Sequence, residues 1–203
     1  MKPLDNKDII HCDNHILVVN KPPGIATQPD LEELAKAWVK KKYQKPGNVF
    51  LHPIHRLDKS VGGIVLFART SKALSRLQAL MRERKISKTY EALVEGHLPK
   101  KEGTLKHFLV HGDHKAFVDP KGKEAILHYT VLEEKKDTTL LSIDLTTGRY
   151  HQIRAQFSAI GHPVVGDKKY GSSCFFQNGI ALRHVRMAFE HPVTQEPLQF
   201  EQR

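Results

Sequence analysis

Two stretches of this sequence hold residue types able to do acid, base or anion chemistry. The first, His52-Pro53-Ile54-His55-Arg56-Leu57-Asp58, gathers two imidazoles, a guanidinium and a carboxylate in a polar loop. It lies just before the apolar run Ile64-Val65-Leu66-Phe67-Ala68, which reads as a buried strand. A rigid scaffold presents catalytic groups from such loops, although an aspartate there also serves as an ordinary cap or turn residue. In the second, Thr146-Thr147-Gly148-Arg149-Tyr150-His151-Gln152, a strand passes through a tight glycine turn into a helix start. Backbone N–H groups at a helix start face anions. Along the helix expected over Tyr150–Ile160, residues advance by about 100° each. Ile153, Phe157 and Ile160 then fall in one narrow arc, and His151, Arg154 and Ser158 on another side. An apolar core face paired with a cation-bearing polar face results, and an ordinary solvated face fits that pattern equally well.

The chain has 203 residues with 32 Lys+Arg against 22 Asp+Glu, a formal charge of +10 at pH 7. That excess suits a polyanion, since Lys and Arg displace counterions from phosphates, but a solvated basic surface has the same sum. The length suits one domain, read as 1–203, with a substantial core. The apolar runs Ile16–Val19 and Ile64–Ala68 are far short of the roughly 20 residues that span a bilayer. No signal-peptide apolar core follows Met1, so a cytoplasmic protein without membrane association is expected. Cys12 and Cys174 lie far apart without metal-type spacing and are expected as free thiols. The 13 histidines form no ligand-like pair with a third ligand nearby, and Pro53 between His52 and His55 speaks against a helical pair, so neither metal nor cofactor is expected.

The elements that must position these groups follow from periodicity. Ile16–Val19 reads as a strand closed by Lys21-Pro22-Pro23-Gly24. A helix is expected over Leu31–Tyr43 with Asp30 as its N-cap, and its tail Lys40-Lys41-Lys42 suits a helix C-terminus. Ser71 is expected to cap a second helix running to about Arg84, with Leu74, Leu77, Leu80 and Met81 as its core stripe. Strands are expected at Thr89–Val94, Leu105–Val110, Ala125–Leu132 and Thr139–Leu145, with Gly112–Lys123 as an exposed hairpin connection and Gly161 just past the last helix. Strands interspersed with three helices imply an α+β domain around a mixed, mostly antiparallel sheet.

Several blocks, in order, resemble the RluA-type pseudouridine synthases: Ile16–Gly24, His55-Arg56-Leu57-Asp58, Lys88–Gly96, Gly148–Arg154, and Gly161–Asp167 followed by Tyr170-Gly171. The resemblance spans about residues 15 to 192. It implies the pseudouridine synthase fold, with a central sheet flanked by helices and a catalytic cleft across the sheet. The implied activity is isomerisation of uridine in ribosomal or transfer RNA to pseudouridine, without cofactor or metal, by a monomer. Such chemistry needs a carboxylate near the anomeric carbon. Asp58 matches the family's catalytic aspartate, Arg154 the arginine that pairs with it, and Tyr90 the tyrosine that lies against the target base. Arg56 and His55 flank the aspartate, where they would fill the space of a flipped-out base or hold phosphate. Lys21, Lys88, Arg149 and His151 are further candidate RNA contacts, Lys21 being equally well explained as a strand-end charge. The first block begins within about 15 residues of Met1, so the additional N-terminal RNA-binding domain of some relatives is not expected.

The chain departs from the family pattern twice. Val61, Gly62 and Gly63 stand where Thr-Ser-Gly is usual, so two hydroxyls are missing from the loop of Asp58 and its support must come from elsewhere. Leu182-Arg183-His184 replaces Leu-His-Ala, so no histidine role is carried over there. Two other classes remain as alternatives. A catalytically silent RNA-binding module of the same fold would not need an acidic group facing phosphate. A nucleoside-hydrolysing glycosidase would use two carboxylates, for which only Asp167 offers itself beside Asp58. On the leading reading the basic residues of Lys72–Lys88 converge with Arg56, Arg149 and Arg154 around Asp58.

Overall fold

The computed structural model describes residues 2–202. In chain order its strands and α-helices are β1 (Ile9–Cys12), β2 (Ile16–Lys21), α1 (Glu32–Lys42), β3 (His52–Pro53), β4 (Gly62–Ala68), α2 (Ser71–Arg82), β5 (Ser87–Glu95), β6 (Glu102–His111), β7 (Ala116–Val118), β8 (Lys123–Glu134), β9 (Thr138–Leu145), α3 (Gln152–Ala159), β10 (Leu182–Glu190) and β11 (Pro197–Glu201). This is the α+β class expected. The chain divides into two compact units, one running to Ile86 and resuming at Val185, the other Ser87–His184. Neither Cys12 nor Cys174 is in a disulfide.

In the first unit β2 pairs antiparallel with β1 and with β4, Ile16 opposite Ala68 and Lys21 opposite Gly63. β4 is buried along its whole length, which its unbroken Gly62–Ala68 apolar run dictates. Ile16, Val18, Ile64 and Leu66 form a core with Met187 and Phe189 of β10, and α2 closes over it with Ala73 and Leu77. Each fully buried leucine there contributes about 1.5–3 kcal/mol. In the second unit β9 pairs antiparallel with β5 and β8, β8 with β6, and β6 with β7. β5 alternates, burying Tyr90, Ala92 and Val94. The hairpin connection expected over Gly112–Lys123 contains strand β7, because Leu109, Val110 and His111 pair with Val118, Phe117 and Ala116.

Three helix starts differ from expectation. Leu31 is already helical at φ −67° and ψ −37°, so Asp30 lies inside the preceding wide turn and its carboxylate accepts the Ala26 N–H at 2.9 Å instead of capping α1. Thr70, not Ser71, caps α2 by accepting the Ala73 N–H at 3.1 Å. α3 begins two residues later than expected because His151 adopts the left-handed region at φ 50°, which α-helix excludes. The basic tail of α1 is partly occupied within its own helix, Lys42 Nζ lying 4.7 Å from the Trp38 ring centre.

Candidate active site

The candidate residues are divided between the units: Lys21, His55, Arg56 and Asp58 belong to the first, Lys88, Tyr90, Arg149, His151 and Arg154 to the second.

In the first unit the loop between β3 and β4 has no hydroxyl at positions 61 and 62, and its support comes from elsewhere. Thr27, buried, clamps the residue before Asp58: its Oγ1 accepts the Leu57 N–H at 3.0 Å and donates to the Leu57 carbonyl at 3.1 Å. Gly24 N–H donates to the Lys59 carbonyl at 2.7 Å, and Val61 N–H to that of Asp58 at 3.0 Å. Gly62 has a packing reason as well, since a Cβ there would stand 3.3 Å from the Lys21 carbonyl oxygen. His55 Nε2 accepts the Leu66 N–H at 3.3 Å, which ties the loop to β4. Asp58 itself is half-buried, and Arg56 is exposed with no carboxylate partner among the described residues. Thr27 is a positioning residue that sequence reasoning missed, since its partner is 30 positions away. Thr27→Val keeps the shape and leaves the Leu57 polar groups unpaired, so urea denaturation is expected to show a loss of about 1–3 kcal/mol.

Lys21 corrects an expectation. It is 1% exposed, and its Nζ donates to the carbonyls of Ile25 at 2.8 Å and Pro22 at 3.1 Å. An ammonium so enclosed does not meet a phosphate, and it holds the Lys21–Ile25 turn instead. Burial pulls its pKa from the ordinary 10.5 to about 8, with Asp58 and Asp30 opposing the shift. Between pH 8 and 10.5 the unfolded chain therefore holds a proton that the folded chain has released. Stability from this group rises with pH across that window and is lost as pH falls through 8. Relative to Lys21→Met, the wild type is expected to gain up to about 3 kcal/mol between those limits, read from urea midpoints.

In the second unit the helix face carrying His151, Arg154 and Ser158 is not a solvated face; it packs on the segment Asp167–Tyr170. Arg154, 7% exposed, holds Asp167, 2% exposed, through Nε to Oδ2 at 2.6 Å and Nη2 to Oδ1 at 2.9 Å. Its guanidinium also lies 4.9 Å from the centre of the Tyr170 ring. The Tyr170 hydroxyl donates to the Ala116 carbonyl at 3.1 Å, accepts the Ala116 N–H at 2.7 Å and meets His151 Nδ1 at 3.0 Å. Ser158 Oγ donates to the Tyr170 carbonyl at 2.7 Å. His151 is 9% exposed, so the RNA contact expected of it gives way to a role in holding Tyr170.

The turn before α3 does not offer all its N–H groups to an anion either. Arg149 N–H donates to Gln152 Oε1 at 3.0 Å, Gln152 N–H to the Arg149 carbonyl at 3.2 Å, and Thr147 Oγ1 to Gln152 Oε1 at 2.8 Å. Buried Gln152 thus locks the turn. Arg149 donates its side-chain Nε to the Glu124 carbonyl at 2.9 Å while remaining exposed. Lys88 is half-buried beside this turn, its Nζ 3.5 Å from where a Cβ of Gly148 would stand. Burial lowers its pKa, and no carboxylate pairs with it among the described residues.

Tyr90 projects from β5 and stacks on His184 of β10, ring centres 4.6 Å apart and planes 18° from parallel. His184 is fully buried. The sequence reading assigned it no role; the signal available was its alternation with Leu182 on a strand. The basic run Lys72–Lys88 is divided between the units. Arg76 donates to the Pro192 carbonyl at 2.6 Å and Lys85 pairs with Glu83 at 2.7 Å, both within the first unit, while Lys88 belongs to the second. Among the described residues no group of three or more His, Cys, Asp or Glu is arranged to hold a metal ion, and no helix is long and apolar enough to cross a membrane.

The model of the RNA pseudouridylate synthase family matches residues 15–159. The dual-specificity RNA pseudouridine synthase RluA of Pasteurella multocida is 37% identical over 95% of this chain and 91% of its own length. The uncharacterized RNA pseudouridine synthase YhcT of Bacillus subtilis is 34% identical over 93% of this chain and 66% of its own. The solved structure of human RNA pseudouridylate synthase domain containing 1 superposes with a TM-score of 0.80 at 24% identity, over all of this chain and 86% of that one, and shows a shared fold. The chain belongs to the RNA pseudouridine synthases of the RluA type, which are isomerases.

Proposed function

We propose that this chain isomerises specific uridines of ribosomal or transfer RNA to pseudouridine, the whole chain acting as one catalytic domain, as a cytoplasmic monomer. In the reaction the C1′–N1 bond breaks, the base turns, the C1′–C5 bond forms, C5 loses its proton and N1 gains one. Atoms balance without a co-reactant, so the protein needs to supply only positioning, charge and proton transfer. Asp58 is the carboxylate at the anomeric carbon, Tyr90 lies against the base with its hydroxyl available for proton transfer, and Arg154 pairs with Asp58 to orient it.

The observation that carries this reading is the clamp on the Asp58 loop, where buried Thr27 grips both backbone groups of Leu57. A loop that had lost its catalytic task would not need a fixed carboxylate. The Arg154 pair with Asp167 supports the role of Arg154 as well, because two hydrogen bonds to one carboxylate fix the guanidinium plane. It also engages the one acid that a two-carboxylate hydrolase would call on. The stack on His184 holds the Tyr90 ring in one plane. His55, Arg56, Lys88 and Arg149 are the proposed RNA-facing residues, and the charge of +10 suits their partner.

The test is to incubate the protein with uridine-containing cellular RNA, digest to nucleosides, and measure pseudouridine and free uracil. Pseudouridine is expected. Free uracil in its place indicates hydrolysis, and RNA binding without either product indicates the silent binding module. Mapping pseudouridines in cells that lack the gene then identifies the RNA.

A further inference from the structure

Beside Arg149 the second unit has a cavity of about 430 Å³, lined by the end of β6, the turn into β8 and the loop before α3. Pockets that take small ligands run from about 300 to 1,000 Å³. Its rim includes Lys121, Lys123 and Arg149, all exposed, and none of the three pairs with a carboxylate among the described residues. Of the acids on the same elements, Asp119 Oδ1 accepts the Lys121 backbone N–H at 2.8 Å, and Glu124 pairs with Lys106 at 2.8 Å.

The lysines flank a turn that is held closed. Asp119 N–H donates to the Phe108 carbonyl and Gly122 N–H to the Asp119 carbonyl, each at 2.9 Å. Gly122 packs so tightly that a Cβ would come within 2.5 Å of the Leu109 backbone. The two ammonium groups therefore spring from a fixed backbone.

Two rings, His111 and Tyr150, share the lining with them. Buried His151 stacks on Tyr150 with centres 3.8 Å apart and planes 18° from parallel, and His111 leans on Tyr150 at 4.0 Å with its plane tilted by 43°. His111 is exposed, so this ring cluster ends at solvent with an aromatic surface. An aromatic platform next to unneutralised cations is the arrangement that proteins use for unpaired nucleotides, in which bases stack and phosphates meet Lys or Arg. An acidic peptide would use the cations alone.

We propose that this pocket holds one unpaired nucleotide of the RNA substrate other than the target uridine, its base lying on the exposed ring of His111 at the end of the His151–Tyr150–His111 cluster and its phosphate on Lys121 and Lys123. The proposal rests on the RNA pseudouridine synthase reading, adding a second point of contact that selects RNA with a single-stranded segment near the target.

The probe is a single-stranded oligouridylate of about twelve residues, followed by fluorescence anisotropy over a salt series, with polyglutamate as a competitor. His111→Ala is expected to weaken binding at least about fivefold, and His111→Phe to restore it, since any aromatic ring continues the stack. Lys121→Ala with Lys123→Ala is expected to lower the slope of log affinity against log salt by about one. Both sites are exposed, and an unchanged melting temperature confirms that the variants fold. Equal binding by His111→Ala and wild type overturns the base contact, as does stronger competition by polyglutamate than by oligouridylate. Pseudouridine formation by the wild type is measured in parallel. Its presence with unaltered variant binding refutes the pocket alone, and its absence refutes the reading of function while the binding data still judge the pocket.

Discussion

Asp58→Asn is expected to lower pseudouridine formation by more than about 10³-fold while binding RNA about as well as the wild type. The substitution keeps the shape and the hydrogen-bonding edge and removes the negative charge. That charge is what the breaking glycosidic bond requires, whether Asp58 attacks the anomeric carbon or stabilises positive charge on the sugar. Binding should survive because a carboxylate facing phosphates adds nothing to affinity. The loop should survive too, since Thr27 and Gly24 hold its backbone at Leu57 and Lys59. The measurement is single-turnover conversion of cellular RNA, with affinity determined on the same preparation across a salt series. Turnover within tenfold of wild type would falsify the assignment.

Arg154→Met is expected to destabilise the fold by about 3–5 kcal/mol. The cost arises from what is left behind: Asp167 is 2% exposed and loses both N–H groups that meet its oxygens at 2.6 and 2.9 Å. A domain is stable by only about 5–15 kcal/mol, so the variant approaches the limit of folding. Asp167→Asn keeps an acceptor for the guanidinium and should cost less. Arg154→Lys fills similar length but cannot bridge two oxygens in one plane and should fall between. Urea denaturation of the three variants gives the order directly; an Arg154→Met protein within about 1 kcal/mol of wild type means that the pair is not a structural element. In Asp167→Asn the Arg154 plane is less firmly set, so turnover should fall more than affinity. A buried pair that only stabilised the fold would not produce that separation.

The two roles of Arg154 explain why the last helix looked ambiguous. Its polar face reads equally as surface or as site when only angular position is known. In the structure that face is buried against Asp167 and Tyr170, which are 13 and 16 positions further along and invisible to helical periodicity. Lys21 and His151 misled for the same reason. Both belong to family blocks and carry cationic or ionisable groups, yet carbonyls enclose one and Tyr170 engages the other.

What the sequence determined by itself was whatever depends on order along the chain. The unbroken apolar run of β4, the leucine stripe of α2 and the alternation in β5 are local patterns, and the strand and helix types follow from them. The ordered blocks fixed the family and, through it, the reaction class. What only the tertiary structure decided was which polar groups find partners across long separations. Thr27 reaches Leu57 from 30 positions away, and His184 reaches Tyr90 across most of the second unit. The division of the basic residues among carbonyl contacts, ion pairs and open surface was decided in the same way. Desolvation is the physical reason: a polar group that loses water on folding must be satisfied by whatever the fold brings within about 3 Å, and no local spacing rule states what that is.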